Sequence, residues 1–340
     1  LGTFRYPSGN TDALRTKALK SISLADARTI EKSLSFHQLI IGLKQAFADA
    51  SIITPERHHH DYSNPVEAID STLLLMPSWI SDSHLGVKLV TISPNNYKYN
   101  LPSIHGLYVL FDAIKGMPLL LLDAQELTAR RTAASSALAS SFLSRVDSET
   151  LLMIGTGKLA PYLIEAHASI RAFKKILIWG RNRLKAQAIC NRLNLKMDIT
   201  VNCIEDLEKG IKLADVVSCA TLSVTPLIYG SWLKSGQHID LVGAYKPDMR
   251  EADNELILKS KIFVDTPMAL KESGDLRIPL KEGLLDEKDI HGNLFQLCQK
   301  TRKGREKKEE ITVFKSVGHA LEDLVAAKMV YHAHGENVNF

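Results

Sequence analysis

The chain predicts an α/β protein: a doubly wound parallel sheet of the Rossmann type joined to a smaller, mixed α+β domain. Three observations predict it. Leu151-Leu152-Met153-Ile154 is an apolar run that passes directly into Gly155-Thr156-Gly157-Lys158-Leu159-Ala160 and then into a helical pattern. Six apolar runs alternate with helical stretches from there to Val264. Before residue 125 the pattern is instead one of several strands, a hairpin turn and an early helix.

In chain order, residues 1–20 carry Arg5, Arg15, Lys17 and Lys20 with few acids and no apolar signal core, and read as an N-terminal extension. Ser21-Ile22-Ser23-Leu24 leads into a polar helix holding Asp26 and Lys32. Phe36, Leu39, Ile40, Leu43, Ala46 and Phe47 then recur at helical spacing. Residues 73–77, 86–90 and 106–111 read as strands, and the segment around Lys115-Gly116 as a hairpin turn into a strand at 119–122. Residues 126–145, rich in Ala and Leu, predict a helix.

Beyond it the strands are expected at 151–154, 176–179, 199–202, 216–219, 239–242 and 262–264. Helices are expected at 159–171, 184–193, 205–211, 230–234 and 252–259. Such alternation implies parallel strands joined by crossover helices. The sheet is expected to be complete at residue 264, with a further strand at 311–314. A last helix at 320–332 is then expected to pack back on the first domain. The resulting division is 1–20 as extension, 21–127 with 314–340 as one domain, and 128–313 as the other.

With 340 residues there is room for two domains. A net charge of +4 is too small and too dispersed to argue for nucleic acid, and suits small anionic ligands. The charge run at 300–310 reads as a solvated loop. No apolar run reaches the roughly 18 residues of a membrane span. Cys190, Cys203, Cys219 and Cys298 are scattered, which predicts free thiols in a reducing cytoplasm and no zinc site.

The glycine turn carries the chemistry. Gly155 permits a tight turn, Gly157 lets backbone approach a pyrophosphate, and Ala160 lets the helix pack close. Thr156, Lys158 and Leu159 complete the turn, and the helix start offers N–H groups to phosphate. An acid about 20 residues on would hold a ribose 2′-hydroxyl. Here Arg181, Asn182 and Arg183 stand there instead. Two guanidiniums suit a 2′-phosphate, so NADP(H) is expected over NAD(H), which remains possible. Ala220, Thr221, Val242 and Gly243 follow two further strands, at the carboxyl ends where dinucleotides bind.

The motifs together resemble a known family. Gly86-Val87-Lys88, Pro94-Asn95-Asn96, the string Leu127-Thr128-Ala129-Arg130-Arg131-Thr132-Ala133-Ala134, Val242-Gly243-Ala244 and Phe314-Lys315-Ser316-Val317-Gly318 are similar to those of the ornithine cyclodeaminase/mu-crystallin family. The resemblance runs from about Ser21 to the end. It implies a homodimer with an active site between the two domains, and a substrate carboxylate held by Arg57, Lys88 and Arg131. It also implies Thr132 at the cofactor phosphates and Ser316 and Gly318 over the nicotinamide. Lys88 lies between Val87 and Leu89 on a strand, on the face opposite theirs, which by pattern alone could be solvent.

Cyclodeaminases of the family carry an Asp after the Val-Gly-Gly/Ala turn as a base. Here Tyr245 takes that place, and Asp248 and Glu251, read as a helix start, are no clear substitutes. A phenol at its ordinary pKa is a poor base near neutrality. The resemblance thus implies a reductase of cyclic ketimine carboxylates, Δ1-pyrroline-2-carboxylate or Δ1-piperideine-2-carboxylate. Lys88 is the candidate to relay the proton. A cyclodeaminase, an amino-acid dehydrogenase of the same fold and a mu-crystallin-like small-ligand-binding protein remain alternatives.

Overall fold

The structure, a computed structural model, describes residues 22–49 and 51–335. The expected extension at 1–20 lies outside them. Among the described residues seven strands form the first sheet: β1 (Ser23–Ala25), β2 (Ile52–Ile53), β3 (His58–Tyr62), β4 (Ser71–Ile80), β5 (His84–Ile92), β6 (Ile104–Asp112) and β7 (Pro118–Asp123). Their order is β1-β7-β6-β5-β4-β2, with β3 also on β4. β4 to β7 are an antiparallel meander, and β1 is parallel to β7. β3, with its three histidines, has no strand pattern of its own, and takes its shape from pairing along Leu73, Leu74 and Leu75.

One face of this sheet is covered by helices and the other is bare. α1 (Ala27–Ser33) starts at Asp26, whose carboxylate accepts from the Thr29 N–H. α2 (Phe36–Ala48) buries all six of its predicted apolar positions. α3 (Ala124–Leu143) is capped by Asp123 and rich in small residues, so it approaches both sheets closely, touching β6 on one side and the second sheet on the other. The register puts Met76, Lys88, Tyr108 and Leu122 on the covered face. Leu75, Val87, Leu89, Leu107 and Val109 therefore point the other way, and Leu89 and Leu107 are 36% and 43% exposed. On β5 the lysine therefore faces in, between Gly86 and Val90, while its neighbours Val87 and Leu89 face out.

The second sheet has eight parallel strands among the described residues: β8 (Thr150–Ile154), β9 (Lys175–Trp179), β10 (Thr200–Cys203), β11 (Val216–Cys219), β12 (His238–Leu241), β13 (Lys261–Val264), β14 (Ile290–Asn293) and β15 (Thr312–Lys315). Their order is β10-β9-β8-β11-β12-β15-β13-β14. Two expectations are corrected here. The sheet does not end at the sixth strand, because β15 returns to fill the place between β12 and β13, and β14 adds an edge. The division at residue 314 would also cut β15, which stays in this sheet through Lys315. All four residues of β15 are buried, as a strand enclosed on both faces must be.

The crossover helices include α4 (Leu159–Ala168), α5 (Arg183–Asn194), α6 (Leu207–Leu213) and α7 (Asn254–Leu258). α8 (Ala269–Glu272), α9 (Gly274–Lys281) and α10 (Leu294–Cys298) follow β13 and β14. α11 (Ala320–Gly335) leaves the second sheet and packs under β4 and β5 and against α2 and α3. No helix among the described residues is long and apolar enough to cross a membrane.

Candidate active site

Two cavities meet the carboxyl ends of the second sheet. The first, about 420 Å³, lies where β8 and β11 part, the switch point of the strand order. Gly155, Thr156, Gly157, Arg181, Asn182, Ala220 and Thr221 line it. Gly155 has φ +115°, a conformation that favours glycine. A Cβ built on Gly157 would meet no atom within 4 Å, so that glycine faces open space. Lys158 and Leu159 open α4, and the Lys158 ammonium donates to Gln125 Oε1 at 3.2 Å.

Around the place for the ribose the residues sort themselves. Asn182 caps α5, accepting from the Lys185 N–H. Arg183 is outside the lining and pairs with Glu205 at the surface. Lys185, which the sequence reading passed over, lines the cavity beside Arg181. It lies one helical turn into α5, and a search for cations on that first turn would have found it. No acid is among the lining residues.

The loops after β11 and β12 are tied by one carboxylate. Glu251 is fully buried; Oε1 accepts from the Thr221 N–H at 2.6 Å and its hydroxyl at 2.9 Å, and Oε2 from the N–H groups of Gly243 and Ala244 at 2.9 and 3.2 Å. Glu251 thus does not open a helix, as its spacing suggested: Asp253 caps α7, and Glu251 clamps two loops. Its other neighbour is the buried Lys315, 3.9 Å away, which sits 3.2 Å from Asp275. Val242 is buried at the end of β12, next to this clamp.

The second cavity, about 350 Å³, lies between the sheets. Arg57, Met76, Glu272, Phe295, Gly318 and His319 are among its lining. The turn from β15 into α11 organises it. Asp265, at the end of β13, accepts from the N–H groups of Val317 and Gly318, both at 2.7 Å. The Arg57 guanidinium donates to the Gly318 carbonyl at 2.9 Å. Behind the same residue lies Arg131: a Cβ on Gly318 would sit 2.6 Å from its Nη1. With φ +85° as well, this position admits only glycine.

Arg131 and Lys88 share one acid. Asp323 Oδ1 accepts from Arg131 Nε at 2.9 Å, and Oδ2 lies 2.7 Å from Lys88 Nζ. Arg131 Nη1 also donates to Glu322 Oε2 at 2.6 Å, and Ser135 donates to the other oxygen of Glu322 at 3.1 Å. All four charged groups are buried. Burial and the neighbouring Arg131 charge pull Lys88 down to about 8. Burial alone would raise Asp323, but Arg131 and Lys88 hold it below the usual carboxylate range. Burial pushes Glu322 up to about 7. Burial and the charges of Arg57 and Arg131 pull His319 down to about 4, so its ring is neutral, with Nε2 3.1 Å from Thr54 Oγ1.

The structure thus gathers Arg57, Lys88 and Arg131 around Gly318 and Asp323. Thr132 follows Arg131 on α3, half-buried, and Ser316 is buried in the turn with its hydroxyl unpartnered. Tyr245 belongs to the lining of neither cavity; it is half-buried, and burial pushes its phenol up. Asp265, Glu272, Glu322 and Asp323 were missed from sequence. The signal for the last two was present: acids in a helix with Leu321, Leu324 and Val325 around them have no polar face to occupy.

A model of the ornithine cyclodeaminase/mu-crystallin family matches residues 21–337. A Δ1-pyrroline-2-carboxylate reductase of Colwellia psychrerythraea is 37% identical over 312 residues, which are 91% of this chain and 98% of that protein. The structure of the Thermococcus litoralis Δ1-pyrroline-2-carboxylate reductase, in complex with NADH and L-proline, aligns with a TM-score of 0.87 at 34% identity, over 94% of this chain and 100% of that one. An archaeal alanine dehydrogenase dimer with bound NAD aligns with a TM-score of 0.86 at 25% identity, over 94% and 98%. Matched along nearly its whole length, from the first sheet through the turn that bears Gly318, the chain belongs to the ornithine cyclodeaminase/mu-crystallin family.

Proposed function

We propose that this protein reduces cyclic ketimine carboxylates, Δ1-pyrroline-2-carboxylate and Δ1-piperideine-2-carboxylate, to L-proline and L-pipecolate with NADPH. The observation that carries the reading is Arg57 lining one cavity at Gly318, with Arg131 packed behind that glycine and sharing Asp323 with Lys88, beside a second cavity lined by the glycine turn. The relatives named as pyrroline-2-carboxylate reductases support it. Arg57 would grip the substrate carboxylate through its fork, with Lys88 and Arg131 adding charge from behind Gly318. Tyr245 in place of a carboxylate base argues against a cyclodeaminase, the more so because burial raises its pKa.

The bound nicotinamide supplies a hydride. Gly155, Thr156 and Gly157 with the start of α4 would hold its pyrophosphate, and Thr221, Gly243, Ser316 and Gly318 would border the ring. Arg181 and Lys185 would take the 2′-phosphate, while Arg183 is already committed to Glu205. This is why NADPH is preferred in this reading, although the Thermococcus structure holds NADH. Residues 21–127 with the chain after β15 form the substrate domain, and the strands from β8 to β15 the cofactor domain. The bare apolar face of β4–β7 suits a second copy of the chain, as a homodimer. The four cysteines are free, which suits the cytoplasm.

Purified protein should consume NADPH with either imine, and no turnover of both would end the reading. Arg57→Ala should raise KM for the imine about tenfold or more, as expected for a lost charge-assisted contact, while the NADPH Kd measured by fluorescence stays put. Gly157→Ala should keep its melting temperature, because the added methyl meets nothing in the fold, yet lose NADPH binding; unchanged binding would place the pyrophosphate elsewhere. Arg181→Ala with Lys185→Ala should weaken NADPH by roughly 10–100-fold and NADH little, which a pair of titrations would decide. Leu89→Arg should turn a dimer into a monomer in sedimentation equilibrium; a wild-type monomer would refute the homodimer.

A further inference from the structure

The cations of the substrate site are each already paired. Lys88 and Arg131 hold Asp323 and Glu322 by short contacts of 2.6–2.9 Å between fully buried groups. Arg57 is different. Its partner is Glu272, the last residue of α8, at 3.4 Å between groups that are each about one-fifth exposed. Glu272 accepts no hydrogen bond from any described residue, yet it lines the same cavity as Arg57, Gly318 and His319. Burial pushes its carboxyl above the usual range, the Arg57 charge opposing this and Asp265 and Glu56 adding like charge. A half-buried carboxylate with one long, loose partner is the weak point of the site's charge balance.

Paired in this way, the empty site is close to neutral. A simple anion arriving at Arg57 would displace Glu272 and leave its charge without a partner. A ligand that carries a cation next to its carboxylate would leave every charge paired. In a cyclic ketimine carboxylate, the ring nitrogen and the carboxylate are bonded to the same carbon, so a protonated nitrogen is such a cation.

We propose that Glu272 is the counter-ion of the protonated imine nitrogen: the substrate's carboxylate takes Arg57, and Glu272 exchanges Arg57 for the substrate's cation. This rests on the reading of the site as a cyclic ketimine carboxylate site. The substrate then enters as a zwitterion whose proton comes from water. On reduction the ring carbon gains a hydride, the electron pair of the C=N bond moves to nitrogen, and the nitrogen loses its charge as a secondary amine. The amine takes a second proton from water and leaves as the ammonium zwitterion. Lys88 transfers no proton in this scheme. It stays on Asp323 as part of the carboxylate's cationic wall, a different role from the proton relay expected from the sequence.

The test compares two ligands by calorimetry near neutral pH, with the oxidised dinucleotide present. L-Proline carries a ring ammonium. Pyrrole-2-carboxylate has the same ring size and carboxylate but an uncharged N–H. Glu272→Gln should weaken L-proline about tenfold or more, the scale of a lost charge-assisted contact. The same change should leave pyrrole-2-carboxylate unchanged or tighten it, because Arg57 is released. Glu272→Asp should recover part of the L-proline affinity. Equal weakening of both ligands would make Glu272 a structural residue and overturn the assignment, as would unaltered L-proline binding. If the wild-type chain binds neither ligand and reduces neither imine, the reading of the site itself falls. If it reduces them while Glu272→Gln leaves L-proline affinity intact, only the counter-ion is refuted.

Discussion

The constraint on which the rest depends is the sharing of Asp323 between Lys88 and Arg131. Three buried charges sit on three separate elements, β5, α3 and α11, from distant parts of the chain. A buried charge stripped of its partner costs roughly 3–5 kcal/mol, so each element holds the others in place. Helix α11 must return from the second sheet to the first, and β15 must enter the second sheet centrally for its turn to deliver Gly318 to the site. The end of the chain is therefore part of the site.

Around that lock the two halves of the chemistry are built by contrast. The dinucleotide end is made of backbone: a turn whose Gly157 faces open space, and two loops held by the single carboxylate of Glu251. Backbone N–H groups suit phosphate, and a clamp from behind keeps side chains out of the way. The substrate end is made of charge. Its cations stand in advance beside acids, so they are desolvated and oriented before a ligand arrives. Small residues along α3 let the two ends approach each other, since that helix touches both sheets.

Much of this was legible. Alternation of apolar runs with helices read the second sheet, because a strand buried on both faces has few polar positions. The glycine turn and the absence of an acid after β9 read the cofactor end, since both are local in sequence. β14 and the return of β15 were not legible, because spatial order in a sheet is chosen by packing and not by order along the chain. Arg183 and Lys185 show the same limit at smaller scale. Both are cations near the right place, and only the rotation of α5 and the position of Glu205 decide which faces the cavity.

The sequence by itself determined the fold class and the glycine turn and, through its resemblance, singled out Arg57, Lys88 and Arg131. The tertiary structure decided what those cations are bonded to. By strand pattern alone the face of Lys88 could be solvent, and it is buried because a helix from the far end of the chain covers that face. Asp323 and Glu322 fall in the expected last helix among apolar neighbours and Glu272 in no expected element, and nothing in the pattern names their partners. Their partners lie 191 to 235 positions away, and no local pattern names a partner across that distance. Charge pairing of this kind is a property of the folded arrangement, since burial is what makes an unpaired charge costly and so fixes which groups must meet.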